Sequence, residues 1–435
     1  MSEIRVGVVA GEKALLPLRR DMRQQGVVEE VLDRVKIGFA GVLEEEAGNF
    51  LQVPDHRKMY VHIAIPKEHA GKATAGDKVF AEITSWDDPK KSPRGKVISV
   101  LGRKGENNAE MAAIVLEKGF ATSFPDEVEE DAVRVKENHL ATQKEELTKR
   151  RDFRDTPTFT IDPLTAKDFD DAISVRRLEN GRWEIGVHIA DVSHFVQPKS
   201  ILDKEASKRA TSIYLVDRTI PMLPEILSND LASLNPEEEK FTFSAVFVMN
   251  EAGAVLERWF GKTIIRSNKR FTYEEAQEIL EGKEGPYKEE LLLLKKIAKV
   301  LEREKFQKGA ISFEQDEVRF VLDDTGRPLK VVRKVRKDAH KLVEEFMLLA
   351  NREVAEYIET LSKKAAGKYH PFVYRIHDLP DQEKIKELSI FAKALGYELH
   401  IKKDGQVSNK DLNALLQQVE GKAEEGLVKT AAVRN

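Results

Sequence analysis

Between residues 36 and 101, short apolar runs alternate with clusters of glycine, proline and aspartate. The runs are rich in valine, isoleucine, phenylalanine and tyrosine, and they cover residues 37–43, 50–53, 59–65, 78–84 and 96–101. Apolar runs of this length, bounded by turn residues, are typical of β-strands. Five of them at this spacing predict a small β-barrel with an OB-like fold, an architecture that commonly binds oligonucleotides.

The segments on either side of this barrel have weaker patterns. Residues 1–35 are interpreted as the remnant of another barrel of the same kind. Residues 102–150 are predicted to form a helical connector, with helices at 109–118 and 132–151 and an acidic stretch at 125–131 between them.

Beyond residue 150, strand-like and helix-like spacings of apolar residues are mixed. Two apolar runs, at 172–175 and 183–189, flank Asn180-Gly181, a pair that favours a hairpin with a type I′ turn. The other predicted elements are a capping box at 272–275, helices over 286–308 and 338–363, and a hairpin formed by 311–322 and 329–335. This mixture predicts an α+β domain over residues 151–435.

Four aspartates lie within one ten-residue stretch between apolar runs: Asp162, Asp168, Asp170 and Asp171. Carboxylates within about 6 Å raise each other's pKa, so such a cluster favours a bound cation. Oxygen ligands with no interleaved Cys or His favour Mg²⁺, Mn²⁺ or Ca²⁺ over zinc. Two such ions about 4 Å apart assist in-line attack on a phosphate ester. The alternative is a loop of Asx turns, helix caps or solvated acids.

Composition narrows the class of protein. The chain has 435 residues, of which 41% are hydrophobic and 34% charged, values that fit a soluble globular protein with about three domains. It contains no cysteine, which excludes disulfides, thiolate catalysis and Cys-ligated metals. Neither a secretory signal nor a run of about 18 apolar residues is found, so we expect a cytoplasmic protein that does not cross a membrane.

The net charge of −4 gives no support to nucleic-acid binding, but local charge steers association. Two basic runs, at 90–96 and 330–337, are each able to contact phosphates. The alternatives are a solvated loop for the first run and the exposed face of a strand for the second.

Six ordered sequence blocks resemble the ribonuclease II/ribonuclease R family of exoribonucleases, whose catalytic domain is called RNB. They are the aspartate stretch 160–173, His188-Ile189-Ala190-Asp191-Val192-Ser193, Ile220-Pro221-Met222-Leu223-Pro224-Glu225, Leu234-Asn235-Pro236, residues 343–351, and Tyr374-Arg375-Ile376-His377-Asp378-Leu379-Pro380. The barrel at 36–101 is similar to the family's second cold-shock domain. The resemblance implies Mg²⁺-dependent, processive 3′→5′ hydrolysis of single-stranded RNA that releases nucleoside 5′-monophosphates, with Mn²⁺ as an alternative ion. We expect the protein to be a monomer.

The resemblance also implies residue roles. Asp162, Asp168 and Asp171 would ligate metal, and Asp170 would be the essential fourth acid at the same centre. Tyr214 and Phe313 would stack on bases near the 3′ end, although a half-buried Tyr and a core Phe are the ordinary alternatives. Glu344 would hold the terminal nucleotide; Glu345 is its competing neighbour, and a solvated helix acid is the alternative for either. His188 and His194 are interpreted as supports of the hairpin, because Mg²⁺ prefers oxygen ligands.

The chain departs from the family pattern at its C-terminus. The family's catalytic domain continues to an arginine-containing segment and a basic S1 domain, whereas this sequence stops at Asn435. We therefore expect an incomplete RNB domain. Two alternatives to the exoribonuclease follow: an RNA-binding fragment with impaired catalysis, and a metal-dependent phosphodiesterase with other substrates.

Overall fold

The structure is a computed structural model that describes residues 37–88, 90–311, 317–323, 326–364, 370–376, 380–402 and 405–434. Contacts divide the chain into two units. The first comprises the described residues up to Pro125 with those of Arg209–Ile220 and Leu322–Arg327; the second comprises the described residues of Asp126–Lys208, Pro221–Val321 and Pro328–Asn435. The predicted barrel remnant at 1–35 and Phe313 lie outside the described residues, so both stay predictions.

The secondary structure mixes helices and strands, as an α+β chain requires. The strands are β1 (Gly38–Glu46), β2 (Asn49–Pro54), β3 (Ile63–Ile65), β4 (Asp77–Ser85), β5 (Arg94–Arg103), β6 (Arg151–Asp152), β7 (Thr158–Asp162), β8 (Asp171–Arg177), β9 (Trp183–Ala190), β10 (Ile213–Tyr214), β11 (Thr219–Ile220), β12 (Glu239–Met249), β13 (Val255–Arg266), β14 (Lys269–Thr272), β15 (Glu317–Leu322) and β16 (Pro328–Lys334). The helices are α1 (Asn107–Glu117), α2 (Asp126–Leu147), α3 (Val192–Phe195), α4 (Ile201–Arg209), α5 (Tyr273–Leu280), α6 (Lys288–Gln307), α7 (Asp338–Lys364), α8 (Gln382–Ala394), α9 (Asn409–Val419) and α10 (Glu425–Arg434). Within the described residues, no helix is both long and apolar enough to span a bilayer.

The first unit contains the predicted five-stranded barrel, closed in the order β1-β2-β3-β5-β4. Its interior is lined by buried apolar side chains, including Phe39, Leu43, Ile63 and Val79. Helix α1 is tied to the wall by Lys78 of β4, whose buried ammonium lies 2.8 Å from the carboxylates of both Asp55 and Glu110. The barrel predicted from the apolar runs is therefore confirmed.

Two other segments of the chain complete this unit. The short β10–β11 ribbon contributes Asp217, which accepts a hydrogen bond from Asn107 at 2.7 Å. Arg209 donates to the carbonyl oxygen of Ser123 at 2.5 Å, and its guanidinium lies 3.7 Å from the centre of the Phe124 ring. The unit is therefore discontinuous in sequence.

In the second unit, helix α2 begins earlier than the sequence predicts. It starts at Asp126, directly after Pro125, rather than at residue 132. The acidic stretch assigned to the connector supplies the first turn instead. Carboxylates there are favoured because the N-terminus of a helix carries a partial positive charge.

The second unit is organised around a seven-stranded sheet in the order β14-β7-β8-β9-β12-β13-β6. Helices α5, α6 and α7 supply buried apolar residues to its core, among them Ile279, Leu294 and Phe346, which cluster with Phe159 and Val187 of the strands. The predicted capping box is present at Thr272 and Glu275, and the long helix predicted over 338–363 is α7.

The hairpin predicted around Asn180-Gly181 is confirmed as β8 and β9, but its turn differs. Five residues, 178–182, connect the strands, and Glu179–Gly181 form a single 3₁₀ turn in which Gly181 has φ +75°. The prediction of a two-residue type I′ turn is therefore wrong. The loop closes instead through the backbone, where the Leu178 N–H donates to the carbonyl oxygen of Arg182 at 2.8 Å.

A buried polar network joins the central strands of this sheet. The two ring nitrogens of His188 lie 2.7 Å from Ser244 Oγ and 2.8 Å from Ser174 Oγ. Burial, with the nearby charge of Arg151, lowers the pKa of His188 to about 3, so the ring is neutral at physiological pH. His188 thus supports the β8–β9 hairpin, as the sequence predicts.

The hydroxyls and imidazole of this network leave no room for a side chain at Gly186. A Cβ atom there would lie 2.5 Å from both His188 Nε2 and Ser174 Oγ. We expect Gly186→Ala to lower the free energy of unfolding by about 1–3 kcal/mol, because overpacking displaces buried groups. Chemical denaturation followed by circular dichroism measures this change.

A matched control is Gly426→Ala in α10, where the added Cβ meets nothing within 4 Å. That variant should be neutral or slightly stabilising, since alanine favours helix over glycine by about 1 kcal/mol. Equal stability of the two variants would contradict the packing described around Gly186.

Candidate active site

The four aspartates lie where two neighbouring strands of the sheet meet their connecting loop. Asp162 is the last residue of β7, and Asp171 is the first residue of β8. These strands pair antiparallel, with Phe159 opposite Ile173. The loop between them carries Asp168, which is half-buried, and Asp170, which is exposed. The sequence prediction that the acids lie between strands is confirmed.

The connecting loop is anchored to a segment more than sixty residues further along the chain. The Phe169 N–H donates to Ser233 Oγ at 3.0 Å, and that hydroxyl donates to the carbonyl oxygen of Lys167 at 2.8 Å. The Leu234 N–H donates to the carbonyl oxygen of Phe169, and the Ala190 N–H donates to that of Asp170. These bonds fix the backbone on both sides of Phe169. This residue lies between Asp168 and Asp170 in the sequence, and its side chain is buried.

Burial and mutual repulsion act on the carboxyl groups together. Burial raises the pKa of Asp162 to about 6, and the charges of Asp171 and Asp168 add to the effect. Burial likewise raises the pKa of Asp171 to about 6, with a contribution from Asp170. Asp170 remains exposed, yet partial desolvation and the charge of Asp168 raise its pKa too. The four acids thus form one electrostatically coupled group, in which neighbouring carboxylates raise the pKa of Asp162, Asp170 and Asp171.

Polar atoms without hydrogen-bond partners are concentrated beside Asp162. Asp162 Oδ2 and Arg270 Nε are each buried without a hydrogen-bond partner, while interaction with the Thr160 hydroxyl lowers the pKa of Asp162. Thr160 pairs with Arg270, and Asp162 with Thr272, in the parallel ladder of β7 and β14, so these side chains lie on one face of the sheet. Buried polar atoms without partners are rare in proteins. Their convergence fits a centre that binds a cation or ordered water.

The donor set consists of oxygen atoms, which suits a hard divalent cation such as Mg²⁺. In the described part of the chain, however, no group of three or more His, Asp or Glu side chains is spaced to hold an ion. Metal ligation by Asp162, Asp168, Asp170 and Asp171 therefore stays a prediction.

Tyr273 is a neighbour of this centre that the sequence analysis misses. It follows Thr272 at the start of α5, and its ring stacks on that of His340 with a centroid distance of 4.1 Å. Burial, and then the charges of Asp171 and Asp162, raise the pKa of Tyr273 to about 12. Its hydroxyl consequently keeps its proton and is able to donate a hydrogen bond beside the acids.

Glu344 lies on α7 in an ion-pair network rather than as a solvated helix acid. Its carboxylate pairs with Arg336 and, at 3.3 Å, with Lys305. Glu345 is buried and pairs with the same lysine. The solvated alternative is thus wrong for both residues. Contact of Glu344 with a nucleotide stays a prediction.

The other predicted RNA contacts differ in how far the structure describes them. Tyr214 lies in β10 of the first unit, and 68% of its surface is exposed. This excludes the half-buried alternative. In the first basic run, Lys91 and Arg94 are exposed; in the second, Arg336 is held by Glu344. Phosphate contacts by either run stay predictions.

Sequence spacing gives no signal for several residues that shape the centre. Arg270, Tyr273 and Ser233 are 62 to 111 residues away from the aspartates along the chain. They reach them only through the parallel pairing of β14 with β7 and the anchoring of the loop. The one available signal is the capping box, which fixes where β14 ends and α5 begins. It does not identify the strand beside β14.

Comparison with known proteins identifies the class. Residues 150–434 match the RNB domain family, and residues 52–125 match the cold shock domain family. The chain therefore belongs to the RNB exoribonuclease family, and its fold is a cold-shock OB barrel followed by an RNB domain.

Within that family the chain is similar to ribonuclease R of Thermotoga maritima, with 37% identity over 86% of this chain and 52% of the relative. It is also 40% identical to DIS3-like exonuclease 2 of Schizosaccharomyces pombe, over 74% of this chain and 36% of the relative. Ribonuclease R of Mycoplasma genitalium, solved with ribose-methylated single-stranded RNA, matches with a TM-score of 0.84 and 25% identity over 95% of this chain and 65% of that one. The chain thus spans about half the length of the curated relatives it matches.

The raised pKa values carry a consequence for stability. An acid whose pKa is higher in the folded state disfavours folding increasingly as the pH rises from about 4 through about 6. For Asp171 the cost at pH 7.5 is on the order of 1–3 kcal/mol. We therefore expect Asp171→Asn to raise the midpoint of thermal unfolding in EDTA at pH 7.5, and to raise it less at pH 5.

The matched control is Asp155→Asn, at an exposed position outside the cluster, which should leave the midpoint nearly unchanged. Differential scanning calorimetry at the two pH values measures both variants. A lower midpoint for Asp171→Asn than for the wild type at pH 7.5 would show that the cluster does not oppose folding.

Proposed function

We propose that the protein degrades single-stranded RNA processively from its 3′ end, by Mg²⁺-dependent hydrolysis that releases nucleoside 5′-monophosphates. The observation that carries this proposal is the coupled centre of Asp162, Asp168, Asp170 and Asp171, with an unpartnered buried oxygen on Asp162. Membership of the RNB exoribonuclease family supports the direction and the substrate.

In this proposal Asp162, Asp168 and Asp171 hold the metal, and Asp170 orients the attacking water or the terminal nucleotide. Divalent metal supplies stabilisation of charge on the phosphoryl oxygens and a lowered pKa for bound water. The chain contributes the rest: the strands fix Asp162 and Asp171, and the bonds to Ser233 and Ala190 fix the loop that carries the other two acids.

RNA is bound by side chains whose contacts do not depend on base identity. Tyr214 stacks on a base through its exposed ring, and Phe313 is proposed for the opposing face. Glu344 accepts hydrogen bonds from hydroxyls of the terminal ribose. Stacking on an aromatic ring is available to every base, which suits an enzyme that degrades RNA without sequence preference.

Replacing Asp170 by Asn removes its charge and keeps its shape. We expect Asp170→Asn to reduce RNA hydrolysis by about 100-fold or more, since the lost transition-state stabilisation amounts to about 3 kcal/mol. Binding of RNA should persist. The measurement is digestion of a 5′-labelled single-stranded RNA with Mg²⁺, analysed for stepwise shortening.

The controls are the wild-type protein in EDTA, which should be inactive, and Asp155→Asn, which should digest RNA at the wild-type rate. Internal cleavage, or digestion that proceeds equally in EDTA, would refute the proposal. Intact RNA with retained binding in the wild type would favour an RNA-binding protein without turnover.

Tyr214 offers a separate test of substrate binding. We expect Tyr214→Ala to weaken binding of single-stranded RNA by about 5-fold to 100-fold, because stacking contributes about 1–3 kcal/mol per base. Tyr214→Phe keeps the ring and should bind as the wild type does. Fluorescence anisotropy with a labelled oligonucleotide in EDTA compares the three proteins, and equal affinities would exclude stacking on Tyr214.

A further inference from the structure

We infer that Arg270 is a positioning residue for the aspartate loop, and that through this loop it sets the affinity of the centre for divalent metal. The inference deepens the proposed function and rests on it for the identity of the metal ligands. Its support lies in the contacts of Arg270 and in the face of the sheet from which its side chain projects.

The guanidinium of Arg270 binds the backbone of the loop directly. Its Nη2 donates to the carbonyl oxygens of Pro163 and Leu164, at 2.7 and 2.9 Å. These are the two residues after Asp162, where the chain leaves β7. Arg270 therefore fixes the direction of the loop at its first turn, whereas Ser233 fixes it near its end.

Arg270 also contacts the loop at a second point. Its Cζ lies 5.5 Å from the centre of the Phe169 ring, within the range of a cation–π interaction. Phe169 is buried and separates Asp168 from Asp170 along the chain. The Arg270 side chain thus links Pro163 and Leu164, which follow Asp162, to Phe169, which lies between Asp168 and Asp170 in the sequence.

The register of the sheet explains why Arg270 reaches this loop. Arg270 pairs with Thr160 in the parallel ladder of β14 and β7, two residues before Asp162. Neighbouring residues in a ladder project from the same face, so Arg270 lies on the side of Asp162.

The geometry distinguishes Arg270 from a residue that contacts RNA. Its Nε is buried, and its Nη2 donates to two backbone carbonyl oxygens of the loop, so these groups are engaged with the protein. Its effect should therefore appear in metal binding first and in RNA binding little. Substitution of outer residues that orient metal ligands typically weakens metal affinity by about 10-fold to 100-fold.

The test compares Arg270→Gln and Arg270→Lys with the wild type. In the absence of RNA, Mg²⁺ is titrated and the rise in thermal unfolding midpoint gives the apparent affinity; in its presence, the rate of hydrolysis is measured against Mg²⁺ concentration. For Arg270→Gln we expect the half-saturating Mg²⁺ concentration to rise about 10-fold or more in both measurements. The rate at saturating Mg²⁺ and the affinity for RNA should stay within about threefold of wild type. Arg270→Lys keeps the charge and should be intermediate.

The matched control is Arg266→Gln at the end of β13, where the arginine forms an ion pair with Glu237 at 2.7 Å. It should leave the Mg²⁺ dependence unchanged. Unchanged half-saturation in Arg270→Gln, or no Mg²⁺-dependent shift in the wild type, would overturn the inference. A wild type that binds Mg²⁺ but does not hydrolyse RNA would refute the proposed function only, because the thermal titration still measures the role of Arg270.

Discussion

The partial burial of several neighbouring carboxyl groups is the constraint that the second unit must accommodate. Asp162 and Asp171 are partly buried at the ends of adjacent strands, where burial and neighbouring carboxylates raise the pKa of both. A chain left to relax would separate these charges. The fold prevents this by making the two outer acids part of one antiparallel strand pair, so that separating them would require breaking the sheet.

The supports of the centre are buried and polar, and they are distributed over distant parts of the chain. His188 bridges the hydroxyls of Ser174 and Ser244 across three strands. Buried polar groups of this kind are costly when a partner is missing and fix one arrangement when all partners are present. Together with the bonds of Ser233 and Arg270 to the loop, they hold the backbone of the acids in place without using the carboxylates themselves.

The sequence predicts the elements of this protein better than it predicts their neighbours. The barrel strands, the β8–β9 hairpin, the capping box and helix α7 follow from local apolar spacing and turn residues, which operate over a few positions. The pairing of β14 with β7 does not, because parallel partners more than one hundred residues apart carry no local signal. The aspartates lie close together in the sequence and are therefore recognisable as one centre. Arg270 and Tyr273 are distant in sequence and carry no such signal.

Two smaller differences between the predicted and the observed elements have local causes. The turn at Asn180-Gly181 is longer than the dipeptide predicts, since the strands end at Arg177 and Trp183 and leave five residues to connect them. Helix α2 begins at Asp126 because acidic residues, which resemble a linker by composition, are favourable in the first turn of a helix. Composition alone does not distinguish these two cases.

The discontinuity of the first unit bears on how such proteins exchange parts during evolution. The barrel unit includes Arg209–Ile220 and Leu322–Arg327, which lie inside the sequence matched by the RNB domain. Asn107 with Asp217, and Phe124 with Arg209, join the barrel segment to the first of these insertions. A recombination event at residue 125 would transfer the barrel without its complementary ribbon. The cold-shock barrel and the RNB domain are therefore expected to be inherited together, and hybrids between relatives require matched residues in both.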